Sequence, residues 1–133
     1  TEGNVFLSVA DLDKDRAVAV ARDLVELGFK IYSTGGTHAR LVGEGIPSTR
    51  VYKVAEQARP NIVDRMKNKE IHFIINTPAS HESRADEILI RSTAIAQKIS
   101  HATNLSAAEA SVKAMRSLKT REFTVKSIQE YHG

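Results

Sequence analysis

The chain has 133 residues, 41% hydrophobic and 26% charged, with 19 Lys and Arg against 16 Asp and Glu and a formal charge of +3. That length suits one domain able to bury a core unaided, and the absence of cysteine excludes disulfides and thiolate metal sites. The basic excess is small and interleaved with acids, aromatic residues are 5%, and no apolar run approaches the roughly 18 residues of a membrane span, so neither a nucleic-acid footprint nor a membrane segment is indicated.

Val5-Phe6-Leu7-Ser8-Val9 is a short apolar run of the kind a buried strand shows. From Asp13 to Leu27 the residues Ala17, Val20, Ala21, Leu24 and Leu27 recur at helical spacing, with Asp13 as N-cap and Gly28 just past the end. Lys14 then falls in the first helical turn, and Ser8 close to the end of the preceding strand. The next stretch, Phe29 to Thr37, organises the chain. A β-branched and aromatic run breaks into Gly35-Gly36 between Thr34 and Thr37, and the pattern of Ala39, Leu41 and Val42 follows. This predicts a strand, a tight turn and a helix from about His38 to Glu44, ended by Gly45 and Pro47. Two glycines let a ligand approach the backbone, and the helix start offers unpaired N–H groups and partial positive charge, which suits a phosphate. The plainer alternative is that the glycines only make the turn and Thr37 only caps the helix.

Thr49 to Val54 reads as a third strand with Lys53 near its end. Residues 55–60 connect it to a short helix, opened by Pro60, carrying Ile62, Val63 and Met66 and closed by Asn68-Lys69. Ile71 to Thr77 is almost continuously apolar, as in a strand covered on both faces, and Pro78 stops it just after Asn76 and Thr77. Ala79 to Ser83 is loop-like. Ala85, Ile88, Leu89, Ile95 and Ala96 mark a helix to about Lys98, and Ile99 to Ala102 a fifth strand. Ser106 and Glu109 form a capping box for a helix to about Leu118. Residues 119–133 are polar and poorly patterned, with Phe123, Val125, Ile128 and Tyr131 as docking contacts.

Alternating strands and helices predict an α/β fold in a single domain over 1–133: a three-layer open parallel sheet of about five strands, with helices on both faces and right-handed crossovers. Ligands of such sheets collect outside the carboxyl ends of the strands. Ser8, Lys14, Thr34, Gly35, Gly36, Thr37, Lys53, Asn76 and Thr77 all fall on that edge, which predicts a small-molecule anion site. Asp64 and His81 offer an acid/base pair, although Asp64 beside Arg59 and Arg65 reads better as an ion-pair partner. His38, His72, His81, His101 and His132 show no metal-binding spacing, and His72 among apolar neighbours reads as structural. No serine has the local sequence of a nucleophile.

Taken in order, these segments resemble a known family. Leu7-Ser8-Val9 with Asp13-Lys14, Ser33 to Thr37, Val51 to Val54, Arg59 to Arg65, Ile74 to Thr77 and Ile90-Arg91-Ser92 are similar to the C-terminal regulatory domain of the carbamoyl phosphate synthetase large subunit, of methylglyoxal-synthase-like fold. The resemblance implies a nonenzymatic effector site for a nucleotide, UMP as inhibitor and in some members IMP. By position, Lys14, Thr34, Thr37 and Lys53 correspond to phosphate- and ribose-region contacts and Asn76 to a contact at its strand end, with Ser8 nearby. It further implies no cofactor in this domain, with ATP and Mg or Mn used elsewhere in a parent ligase. Its partners would be the catalytic domains of that large subunit and the glutaminase small subunit, in the cytoplasm, with homo-oligomers allowed and neither nucleic acid nor membrane engaged. The start at Thr1 agrees with a piece of a larger chain.

Pro78 departs from the family pattern: a threonine often stands there, and proline offers neither hydroxyl nor N–H. The alternative reading is a methylglyoxal-synthase-like lyase acting on dihydroxyacetone phosphate. Those enzymes carry a catalytic aspartate after a glycine pair where this chain has Gln57-Ala58-Arg59-Pro60, so the base is missing. The cyclohydrolase domain of late purine synthesis shares the Ser-Thr-Gly-Gly-Thr segment but not the second half. A third reading is an oligomerisation surface with a vestigial anion site.

Overall fold

The computed structural model describes residues 3–53, 59–77 and 84–132, with the side chains of Arg84 and of residues 119–132 outside the description. In chain order the elements are β1 (Gly3–Ser8), a 3-10 turn (Asp11–Asp13), α1 (Lys14–Glu26), β2 (Phe29–Ser33), α2 (Gly35–Gly43), β3 (Thr49–Arg50), α3 (Ile62–Lys67), β4 (Phe73–Asn76), α4 (Arg84–Ala96), β5 (Ser100–Ala102) and α5 (Leu105–His132). The five strands form one parallel sheet in the order β3-β2-β1-β4-β5. The chain therefore winds outward from β1 through β2 to β3, then crosses to the other side of β1 for β4 and β5.

The three layers follow from the pleat. Successive side chains of a strand point to opposite faces, so Val5 and Leu7 of β1 and Phe73 and Ile75 of β4 enter one core, with Leu24 of α1, Leu41 of α2 and Val112 of α5. Phe6 and Ile74 enter the other, with Ile62 and Met66 of α3 and Ile90 of α4. Both faces of β1 and β4 are covered, which is why these strands read as apolar runs without alternation.

Several boundaries differ from those the sequence predicts, each for a local reason. Asp13 makes no side-chain cap to α1, because the 3-10 turn runs directly into the helix with Asp13 already near helical geometry, at φ −99° and ψ 0°. Gly28 does close that helix in the left-handed region, at φ 97°. Gly35 and Gly36 are not a turn: they are the first residues of α2, which begins three positions earlier than His38, and Thr37 lies within the helix instead of capping it. The third strand is only Thr49–Arg50, followed by an isolated bridge between Tyr52 and Asn61, and Val54 lies outside the described residues. Pro60 precedes α3 without opening it. The cap is Asn61, in a reciprocal box with Asp64: Asp64 N–H donates to Asn61 Oδ1 at 3.0 Å and Asn61 N–H to Asp64 Oδ2 at 2.9 Å. β4 is Phe73–Asn76, shorter than Ile71 to Thr77.

Ser106 and Glu109 form no capping box at α5. Arg16 of α1 takes both side chains, and Asn104 Oδ1 accepts the Ala107 N–H at 2.7 Å instead. That helix continues past Leu118 to His132. The proposed docking contacts at Phe123, Val125, Ile128 and Tyr131 lie outside the described side chains, and the loop Ala79 to Ser83 outside the described residues. His72 is structural as expected, its Nδ1 accepting the Asn4 N–H at 2.9 Å.

Two stability predictions follow from these contacts. Leu24→Ala, at a site with 0% exposure between α1 and the sheet, should cost about 2–5 kcal/mol in denaturant unfolding. Asp64 is held below its ordinary range, first by the Arg59 guanidinium and next by the Asn61 N–H, so its contribution exists above the unfolded carboxyl pKa and is lost as pH falls through the lower folded value. The melting temperature of Asp64→Asn should therefore lie below that of the parent at pH 7, and the gap should begin to narrow near about pH 4 and close only below the lowered folded pKa.

Candidate functional site

The parallel registers bring the strand ends level. Leu7 pairs with Ser33 and Ser8 with Asn76, so the residues that follow β1, β2 and β4 emerge on one edge. The strand order reverses between β1 and β4, and in open α/β sheets the crevice at such a switch point takes the ligand. Ser8, Asn76 and Thr77 stand at that place.

Hydrogen bonds tie this edge together. Ser8 Oγ and Thr34 Oγ1 are 3.0 Å apart, which explains why Thr34, at the N-cap position of α2, makes no cap bond of its own. Thr37 Oγ1 accepts the Val9 N–H at 3.3 Å, and Thr77 Oγ1 accepts the Ala10 N–H at 2.9 Å. The backbone joins in, with Thr77 N–H donating to Ser8 O at 3.1 Å. Ser8, Thr34, Thr37 and Thr77 are all buried. The two threonine oxygens accept from the main chain, and each hydroxyl keeps a proton to donate.

The first intrahelical bond of α2 is His38 N–H to Thr34 O, at 2.8 Å, so the helix leaves the amides of Gly35, Gly36 and Thr37 without an acceptor of its own. Lys14 approaches the same amides. A Cβ on Gly36 would stand 3.0 Å from Lys14 Nζ, whereas one on Gly35 would meet nothing within 4 Å. Gly36 is thus the position where a missing side chain makes room for a cation. Asp11 forms an ion pair with Lys14, a contact that spacing alone did not single out. The available clue was an acid three residues before the lysine. Helix-start amides beside a lysine are, among the described residues of this edge, a composition that suits an anion.

One buried acceptor breaks that pattern: Asn76 Oδ1, in a side chain 6% exposed, has no hydrogen-bond partner. Lys53 lies three residues past β3, the outermost strand and two strands from β1. Pro78, Gln57, Ala58 and His81 lie outside the described residues, so the Asp64–His81 pairing has no geometry to examine. Asp64 itself is engaged by Arg59 at 2.7 and 3.1 Å, as an ion-pair partner. Among the described residues no group of three His, Cys, Asp or Glu could hold a metal ion, and no helix is long and apolar enough to cross a membrane. A cavity of about 640 Å³ opens on the opposite edge of the sheet, walled by Val25, Phe29, Val42 and Ile46 together with the polar Lys30, Ser48 and Thr49.

Comparison with known proteins agrees with this architecture. The chain is 43% identical over 129 residues to the carbamoyl phosphate synthase large chain of Nostoc sp. strain PCC 7120, covering 97% of the chain and 12% of that protein. For the large chain of Archaeoglobus fulgidus the identity is 43% over 132 residues, covering 98% and 12%. The C-terminal section of the large chain of Methanocaldococcus jannaschii is 42% identical over 128 residues, covering 96% and 21%. The chain thus spans about an eighth of the length of the first two relatives, 12% of each. In structure it is similar to methylglyoxal synthase from Elizabethkingia anophelis NUHP1, with a TM-score of 0.64 at 16% identity over 84% of this chain and 77% of that one, a likeness of fold. Residues 16–103 match the family model of the MGS-like domain, and the chain belongs to that family.

Proposed function

We propose that the chain is an effector-binding domain that takes a nucleoside monophosphate at the carboxyl edge of its sheet. The observation that carries this reading is the partnerless, buried Asn76 Oδ1 on the same edge as an anion-ready helix start. A bare phosphate would satisfy the amides of Gly35, Gly36 and Thr37 but offers the Asn76 oxygen little. A phosphate ester that also carries a ribose hydroxyl or a base N–H satisfies both, and so relieves the cost of a buried acceptor left unpaired.

In this reading Lys14 and Lys53 supply positive charge, the hydroxyls of Ser8, Thr34, Thr37 and Thr77 donate to the phosphate and its rim, and Asn76 accepts from the sugar or base. UMP, or IMP, is the proposed effector. The domain would regulate the catalytic domains of a carbamoyl phosphate synthase large chain working with a glutaminase small subunit in the cytoplasm, feeding pyrimidine and arginine synthesis. ATP and a divalent metal would act in those other domains and not here. The coupling itself requires a second site, which belongs to the parent protein.

Lyase chemistry fits less well. A proton-abstracting base needs a carboxylate free to accept, and Asp64 is committed to Arg59 and the Asn61 N–H, with its pKa lowered by both.

Calorimetric titration with UMP, IMP and inorganic phosphate tests the proposal. Charge-assisted hydrogen bonds contribute roughly 1.5–3 kcal/mol each, so UMP should bind at least about tenfold tighter than phosphate, and Lys14→Ala or Lys53→Ala should weaken it about tenfold to a hundredfold. Asn76→Ala should bring the affinity for UMP toward that for phosphate. Equal affinities for UMP and phosphate in the parent chain would refute the nucleotide reading.

A further inference from the structure

We propose that Asp11 is a specificity-determining residue of this edge: its carboxylate, paired with Lys14, favours a ligand with one phosphate group over one with a chain of two or three. The inference rests on the anion-site reading above, for which the buried Asn76 oxygen is evidence independent of the helix start.

The argument begins with the 3-10 turn. Asp11–Asp13 fills the step between β1 and α1 and sets Asp11 one short turn ahead of Lys14, whose ammonium it pairs with. The same ammonium lies against Gly36, 3.0 Å from where a Cβ would stand, in the first turn of α2. Lys14 thus stands between a protein carboxylate and the place a phosphate would take. An anion bound to Lys14 and those amides has the Asp11 carboxylate about two hydrogen-bond lengths away, roughly 6 Å.

Among the described residues, the arginines of α1 and α2 are engaged elsewhere. Arg16, in the first turn of α1, is drawn off to Glu109 and Ser106 of α5. Arg40 of α2 pairs with Asp15 and Glu44. Asp13 adds a further carboxylate in the same turn, half-buried. Lys53, past the edge strand β3, is the cation that the proposed function brings from outside α1 and α2. A first phosphate is met by Lys14, the α2 amides and the threonine hydroxyls. Each further phosphate adds negative charge near Asp11 without recruiting a cation from α1 or α2, whose arginines already have partners. At about 6–10 Å in a water-like medium each added charge weakens binding roughly twofold, and screening at physiological salt removes most of that effect.

The test titrates the chain and its Asp11→Asn and Asp11→Glu variants with UMP, UDP and UTP, in metal-free buffer at low and at high salt. Asp11 is 63% exposed in its side chain, so neither change disturbs the core. At low salt Asp11→Asn should raise the affinity for UTP more than that for UMP, moving the UTP-to-UMP ratio by about threefold to tenfold, and the shift should shrink at high salt. Asp11→Glu should keep the parent ratio. A ratio unchanged in Asp11→Asn, or binding of all three ligands weakened equally, overturns the role of Asp11 while leaving the site intact. Failure of the parent chain to bind any of the nucleotides or inorganic phosphate overturns the site reading and this inference with it.

Discussion

The double pairing of β1 is the constraint on which the rest depends. It is hydrogen-bonded in parallel to β2 on one side and β4 on the other, and its side chains feed both cores. A one-residue slip against either neighbour would turn Phe6 toward the wrong core and carry Ser8 inward, so burial enforces the register strongly. The location of the candidate site is a by-product of that enforcement. Once Leu7 faces Ser33 and Ser8 faces Asn76, the residues after three strands must share an edge, and the crossing from β3 to β4 puts the topological switch point between β1 and β4 there.

The chemistry of that edge is asymmetric. Threonine hydroxyls whose oxygens accept from the Val9 and Ala10 amides, the start of α2 and the Lys14 ammonium are all sources of hydrogen-bond donors there. Among the described residues the acceptors there include the Asp11 and Asp13 carboxylates and the Asn76 oxygen. The carboxylates temper the charge of the site, and the Asn76 oxygen asks the ligand for a donor. In the proposed reading, such an edge would discriminate among phosphate esters by what surrounds the phosphate.

Much of this was legible in the sequence because it rests on periodicity and order. The apolar runs around Phe6 and Ile74, the stripe from Ala17 to Leu27 and the strand–helix alternation carry the three layers, and polar residues at the strand ends mark the edge. What was not legible depends on partners distant in sequence. Gly35-Gly36 resembles a turn because glycine lacks helix propensity, yet the pair opens α2 with Lys14 lying over Gly36. Ser106 and Glu109 have capping-box spacing, but Arg16, some ninety positions away, competes successfully for both. Pro60 has the character of a helix opener, while the Asn61–Asp64 box sets the start of α3 at Ile62, two residues later. The third strand was overdrawn because an outermost strand has a pairing partner on one side alone, here Ser33 and Tyr32 of β2. The whole-chain resemblance anticipated the family that the comparisons support, and the assignment of effector contacts goes beyond them.

The most direct test of the central claim is residue-resolved: amide and side-chain chemical-shift mapping of the chain during titration with UMP. The account predicts the largest changes at Gly35, Gly36 and Thr37, at the Asn76 carboxamide and around Lys14. Changes centred on Val25, Phe29 and Val42, at the cavity on the opposite edge, would contradict it.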